Sequence, residues 1–271
     1  MSDWVDGCPA DTLPLKDRGL AYGDGVFETI VVKSGQPLLL ERHLQRLETG
    51  CRRLSIPLEP ALARSEMIRF AAQLENGVMK LIVTRSDSQR GYAPVAHAPS
   101  RRILQGGPVP AYPAAHAQQG VRLFACRTRL AEQPLLAGLK HLNRLEQVLA
   151  RAEWSDDEHA EGLMRDTSGR VIEGVYSNLF LVSEGRLRTA DLSRSGVAGV
   201  MRAELLDQAR ALGIEVVIGD VHLSDLARAD EVFICNSVYG VWPVNGLESL
   251  NWPVGPLTRK LQGIARALLD I

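Results

Sequence analysis

Lysine is scarce in this chain, and one lysine is oddly placed. Of 271 residues only Lys16, Lys33, Lys80, Lys140 and Lys260 are lysine, while arginine carries nearly all the positive charge. Lys140 follows Leu135, Leu136, Ala137, Gly138 and Leu139, a stretch too apolar to need a solubilising charge. A desolvated lysine amine can form a Schiff base with a carbonyl-bearing cofactor. The alternative is a lysine snorkelling at a domain edge. The other four have plain explanations. Lys16 sits in a polar run, Lys33 precedes a turn, Lys80 can face outward from a strand, and Lys260 falls on the polar side of a helix.

Glu173 poses a matching question, because it lies among apolar neighbours in VIEGVYSNLF. A buried carboxylate costs several kcal/mol unless a cation or strong donors compensate it, and a protonated pyridine nitrogen is such a cation. Period-2 alternation offers the other reading, a strand residue facing water. A third feature is GVAGVMR, where Gly196 and Gly199 lead into a helix whose first amides could hold a phosphate.

Other chemistries are excluded by what the chain lacks. There is no G-x-x-x-x-G-K-[ST], and Gly23 and Gly25 precede a strand rather than opening a helix, so neither nucleotide fingerprint applies. The six histidines never fall at metal-ligand spacing, and Cys8, Cys51, Cys126 and Cys235 form no C-x-x-C pair, so no metal is expected. A formal charge of −1 gives no basic field for nucleic acid or anionic membranes. The acidic N-terminus and the absence of a long apolar run point to a cytoplasmic protein with a small-molecule partner.

The elements that must position these residues read as mixed α and β. GVFETIVV, the turn at Gly35 and PLLL form a hairpin in which Thr29 shares a face with Phe27 and Val31. One helix buries Leu44, Leu47, Cys51 and Leu54, and a second buries Met67, Ile68, Ala71 and Leu74 before stopping at Gly77. VMKLIVTR is a strand. The Pro/Gly/Ala-rich stretch from Gly106 to Gly120 reads as a connection, giving domains 1–111 and 112–271. In the second half come the strand VRLFACR and a helix with Leu142, Leu145, Leu149 and Ala152 inward. The strands VIEGVYSNLFLV and GRLRTA follow, then a helix burying Met201, Leu205, Ala209 and Leu212. The strands IEVVIGDV and EVFICNSV precede a last helix through Leu257, Leu261, Ile264 and Leu268.

Seven ordered motifs spread over the whole chain then resemble the fold-type IV pyridoxal phosphate enzymes, the family of branched-chain and D-amino-acid aminotransferases and aminodeoxychorismate lyase. They are YGDGVFET (22–29), HLQRL (43–47), RSDSQRGY (85–92), LKHLNRLEQ (139–147), EGVYSNLF (173–180), GVAGVMR (196–202) and CNSVYGVWPV (235–244). The resemblance implies a small α/β N-terminal domain, a larger C-terminal domain on a barrel-like sheet, pyridoxal 5'-phosphate between them, and a homodimer. It implies that Lys140 forms the imine with the cofactor and Glu173 pairs with its ring nitrogen. Arg46, Gly199, Val200, Met201 and Ser237 would bind its phosphate, and Asn178 would fix the ring side.

Within the family, LKHLNRLEQ and the triplet Arg90 to Tyr92 are most similar to the lyase branch, which converts 4-amino-4-deoxychorismate to 4-aminobenzoate and pyruvate for folate. That likeness implies Lys140 as proton carrier, Thr29 as proton donor, and Arg90, Tyr92, Tyr22 and Asn236 around the substrate. Two departures stand out. Leu145 occupies the place of a tyrosine found in branched-chain aminotransferases, and Ser86 replaces the first glycine of the lyase loop motif. The competing readings are a D-amino-acid or branched-chain aminotransferase on the same fold, and a non-catalytic α/β binding protein.

Overall fold

The computed structural model describes residues 2–87, 91–94 and 99–270, and the chain divides into two compact units. Unit 1 comprises Met1–Pro110 with Leu139–Asn143, and unit 2 comprises Ala111–Gly138 with Arg144–Ile271. No helix among the described residues is long and apolar enough to cross a membrane.

Unit 1 contains β1 (Trp4–Val5), β2 (Cys8–Pro9), α1 (Arg18–Tyr22), β3 (Gly25–Lys33), β4 (Gln36–Pro37), α2 (Leu40–Arg53), α3 (Pro60–Leu74), β5 (Gly77–Thr84) and β6 (Arg101–Gly107). The strands form one sheet in the order β2-β1-β6-β5-β3-β4. Val26, Ile30 and Val32 of β3 face a core completed by Leu44, Leu47 and Cys51 of α2 and by Met67, Phe70 and Ala71 of α3. The helix α2 approaches β3 closely, since a Cβ at Gly50 would lie 3.0 Å from Val26 Cγ1.

Unit 2 contains α4 (Ala114–Gln119), β7 (Val121–Leu130), α5 (Leu145–Arg151), β8 (His159–Asp166), β9 (Val171–Gly174), β10 (Asn178–Ser183), β11 (Arg186–Ala190), α6 (Val200–Ala211), β12 (Val216–Gly219), α7 (Leu223–Leu226), β13 (Glu231–Asn236), β14 (Gly240–Leu247), β15 (Leu250–Asn251) and α8 (Pro256–Leu269). Its sheet runs β12-β11-β10-β13-β14-β7-β8-β9, and a further pairing joins β9 to β10. That pairing closes β10, β13, β14, β7, β8 and β9 into a six-stranded barrel, so the expected barrel-like sheet is present. The closing residues are Glu173 and Asn178, directly opposite each other. Two site candidates therefore form the seam of the barrel.

Several expected details are corrected. VIEGVYSNLFLV is two strands split at residues 175–177, not one. The Gly106–Gly120 connection holds the end of β6 and the helix α4. Ile68 and Leu212 are exposed rather than inward. The buried stripe of α8 is Thr258, Leu261, Gln262, Ala265 and Leu269, offset from the expected leucines because the helix turns a neighbouring face inward. The helix α5 is the clearest reversal: Leu145, Val148 and Leu149 are 75%, 60% and 61% exposed, and Gln147 and Ala150 are buried instead.

Candidate active site

In unit 1 the segment around Lys140 runs along the edge of β3. Phe27 N donates to Lys140 O at 2.9 Å and Leu142 N donates to Gly25 O at 3.0 Å, so main-chain bonds fix the segment. The Lys140 ammonium lies 4.2 Å from the centroid of the Phe27 ring, a cation–π contact. Thr29 stands two residues along β3 on the same face as Phe27, opposite Lys80 on β5. The Lys80 ammonium is itself 5.4 Å from the Phe27 centroid. The outward-facing reading of Lys80 missed this neighbour, although strand register from the two motifs would have revealed it. Gly23 has φ of +63°, and a Cβ there would meet Asn143 Oδ1 at 2.5 Å, so glycine both makes this turn and admits Asn143.

Arg46 projects from α2 and is bound by Glu28 of β3, with Arg46 Nε donating to Oε1 at 2.8 Å. Sequence reasoning passed over Glu28, yet it alternates with Val26, Ile30 and Val32 and so belongs to the apolar face. Burial pushes this carboxyl up, but the attraction and bonds of Arg46 and the bond from His43 outweigh burial and hold it at about 2.

Tyr22 and Tyr92 are brought together, their ring centroids 5.4 Å apart. Arg18, which had drawn no notice, holds the loop by donating to Gly91 O at 3.2 Å and Tyr92 O at 2.8 Å, while Gly91 N donates to Tyr22 Oη at 3.3 Å. Tyr92 itself is 84% exposed. Arg90 lies outside the described residues. Ser86 adopts φ of +61°, a left-handed conformation that explains a glycine at this place and that serine occupies with some strain.

In unit 2 the Glu173 carboxylate is buried, and its Oε2 accepts from Val197 N at 2.8 Å and Asn178 Nδ2 at 3.3 Å. Asn178 Nδ2 also donates to Val197 O at 2.8 Å, which ties the barrel seam to the loop before α6. Gly199 is the N-cap of α6 and lacks a side-chain cap, so the first amides of the helix, those of Val200 and Met201, have no intrahelical acceptor. A Cβ at Gly199 would overlap Asn178 Oδ1. Ser237 lies in the turn after β13. The Asn236 amide organises that turn: its Oδ1 accepts from Val238 N and Tyr239 N and its Nδ2 donates to Tyr176 O.

Glu161 of β8 was not anticipated. It is fully buried, accepting from Gly162 N at 2.9 Å, Val175 N at 3.0 Å, Tyr176 N at 3.3 Å and Ser177 Oγ at 2.8 Å. Three of these bonds hold residues 175–177, in the link between Glu173 and Asn178. Burial pushes the Glu161 carboxyl up to about 7 despite them.

Residues 25–247 match the amino-transferase class IV family. The chain belongs to that family. The crystal structure of 4-amino-4-deoxychorismate lyase from Pseudomonas aeruginosa is 66% identical, covers 99% of this chain and 100% of that one, and superposes with a TM-score of 0.98. An aminodeoxychorismate lyase of Vibrio harveyi is 40% identical over 96% of this chain and 98% of its own length. A hypothetical aminotransferase from Mycobacterium tuberculosis in its PLP-bound form shares the fold, with a TM-score of 0.83 at 22% identity and 99% of each chain covered. The class IV family is one of pyridoxal-phosphate-dependent enzymes.

Proposed function

We propose that this member of the class IV family is an aminodeoxychorismate lyase, converting 4-amino-4-deoxychorismate to 4-aminobenzoate and pyruvate with pyridoxal 5'-phosphate as cofactor. The observation that carries the reading is the placement of Lys140: main-chain bonds hold it on β3, its amine on the ring of Phe27, with Thr29 next along the same face. The two lyase relatives support the substrate.

The donor set fits the cofactor. Lys140 offers an amine for its aldehyde, and Arg46 offers a guanidinium for its phosphate. Val200 and Met201 offer helix-terminal amides at the start of α6, next to Gly199, where only a residue without a Cβ leaves room for the Asn178 side chain. Ser237 adds a hydroxyl. Glu173, a buried carboxylate that Asn178 and the Val197 amide hold in place, is suited to a cationic ring nitrogen. When bound, pyridoxal phosphate supplies an electron sink for charge developing on the substrate carbon that bears nitrogen.

The protein's own residues then divide the work. Lys140 takes the proton from that ring carbon. Glu173 would hold its negative charge toward the cofactor's ring nitrogen and favour its protonated form. Thr29 gives a proton to the departing enolpyruvyl group as its bond to the ring breaks. Pyruvate leaves, and the ring becomes aromatic. Arg90, Tyr92 and Tyr22 are our candidates for holding the substrate carboxylates. The assembly proposed with this reading is a cytoplasmic homodimer, for which the exposed Leu145, Val148 and Leu149 of α5 supply apolar surface.

Protein reconstituted with pyridoxal phosphate and given 4-amino-4-deoxychorismate is expected to release 4-aminobenzoate and pyruvate in equal amounts. Lys140→Ala is expected to lower turnover by at least about 10³-fold. Borohydride reduction should leave a cofactor adduct on Lys140, read by peptide mass. Conversion of bound cofactor to the pyridoxamine form by an amino acid, with no 4-aminobenzoate made, would move the reading to transamination. A colourless protein with no adduct would leave a binding protein.

A further inference from the structure

Glu28 has no part in the reaction as proposed, yet it is buried against one of its residues. It lies on the core side of β3 with its side chain 2% exposed. An ionised carboxylate in that setting needs donors around it. Arg46 supplies two, from Nε to Oε1 at 2.8 Å and from Nη2 to Oε2 at 2.5 Å, the paired geometry that fixes the plane of a guanidinium. His43 Nδ1 lies 2.6 Å from Oε2. Burial lowers the His43 imidazole below its usual range, against the pull of Glu28. A carboxylate only accepts, which makes Nδ1–H the donor. His43 Nε2, buried beside the pair, has no hydrogen-bond partner among the described residues. His43 and Arg46 stand three apart on α2, so one face of the helix delivers both.

An arginine that receives a phosphate must present its N–H groups in one direction, whereas an unrestrained arginine samples many rotamers. We propose that Glu28, backed by His43, is a positioning residue that presets the Arg46 guanidinium for the phosphate of the cofactor. The inference rests on the reading of Arg46 given above. Two opposed effects are at stake. The carboxylate fixes the fork, but its negative charge also weakens the pull of Arg46 on an anion. Glu28→Gln removes the charge and breaks the paired acceptor geometry together, so the sign of its effect on phosphate binding says which dominates.

The test compares pyridoxal phosphate with pyridoxal, which lacks the phosphate, as ligands of the apoprotein. Both are titrated by absorbance into wild type, Glu28→Gln, His43→Asn and Arg46→Ala. Orientation dominating, Glu28→Gln lowers affinity for pyridoxal phosphate by about 10–100-fold, the scale of losing an orienting partner behind a bound group, and leaves pyridoxal within about 2-fold. His43→Asn moves the same ratio in the same direction by less. A merely structural role would weaken both ligands alike. A wild-type or increased ratio in folded Glu28→Gln overturns the proposal. Should that variant fail to fold, an unchanged ratio in His43→Asn does the same. If Arg46→Ala keeps the wild-type ratio, the assignment of Arg46 falls and this proposal with it, while the role of Lys140 stands on its own adduct.

Discussion

Glu28 in unit 1 and Glu161 in unit 2 are both buried carboxylates, and they lie on opposite sides of the ordinary glutamate value of 4.5. Burial pushes each of them up. Glu28 is brought down to about 2 by Arg46 and His43. Glu161 receives four hydrogen bonds, from Gly162, Val175, Tyr176 and Ser177, yet stays at about 7. The number of bonds does not decide the outcome; the charge of the partner does. The two groups also organise different things. Glu28 fixes a cationic side chain, whereas Glu161 fixes a piece of main chain that joins Glu173 to Asn178.

Removing the cation-bound carboxylate should cost most. Glu28→Ala leaves Arg46 without its acceptor in a site where its side chain is 14% exposed, and unfolding in urea at pH 7 should show a loss of about 3 kcal/mol. The acid limb offers a second reading of the same pair. A carboxyl lowered on folding contributes stability above 4.5 that disappears as pH falls toward 2, here about 3 kcal/mol in wild type. The variant should lack that component. An acid limb identical in both proteins would mean that Glu28 is not held ionised by its partners.

For Glu161 the sign reverses. Its carboxyl is raised on folding, so stability is greatest below 4.5 and is lost as pH rises through about 7, by about 3 kcal/mol in all. The groups around it do not repair this. Tyr112, Tyr176 and Tyr239 have their hydroxyls raised first by burial and then by the Glu161 charge, and Cys126 is raised by burial and by nearby carboxylates. Glu161→Gln removes the ionisation while turning an amide toward backbone donors, so its level of stability can fall. Its slope should change in a defined way: between pH 4.5 and 7 the wild type should lose about 3 kcal/mol relative to the variant. Parallel curves would place Glu161 among ordinary carboxylates and dissolve the contrast with Glu28.

The contrast also explains what the sequence disclosed. Hairpin, helix and helix-terminal motifs were legible because their causes are local: Ser34 and Gly35 turn β3 into β4, and Gly199 precedes the first turn of α6. Lys140 and Glu173 stood out as charges in apolar surroundings. Glu28 could have been found the same way, since it alternates with Val26, Ile30 and Val32. The break between β9 and β10 was harder to read, because Val175 and Tyr176 continue the strand pattern between Gly174 and Ser177 and the segment is held by Glu161 from another strand. The helix α5 fails for a related reason. Spacing of leucines reports that an apolar face exists, whereas Leu145 and Leu149 are exposed because nothing among the described residues covers that face.

Ser177→Ala gives the smallest and sharpest test of the neutral cradle. Ser177 Oγ donates to Glu161 Oε2 at 2.8 Å, and an alanine methyl cannot replace that proton. A hydrogen bond to a charged group contributes about 1.5–3 kcal/mol and one to a neutral group about 1 kcal/mol. At pH 8 the Glu161 carboxylate is charged and the substitution should cost about 2 kcal/mol; at pH 5 it is protonated and the cost should fall below about 1 kcal/mol. Losing a donor also raises the carboxyl further, so the pH at which the cost changes should lie above the wild-type value of about 7. An equal cost at both pH values would show that Glu161 does not change charge across that interval. The ratio of pyridoxal phosphate to pyridoxal affinity should meanwhile stay at its wild-type value, because Glu28, His43 and Arg46 are untouched.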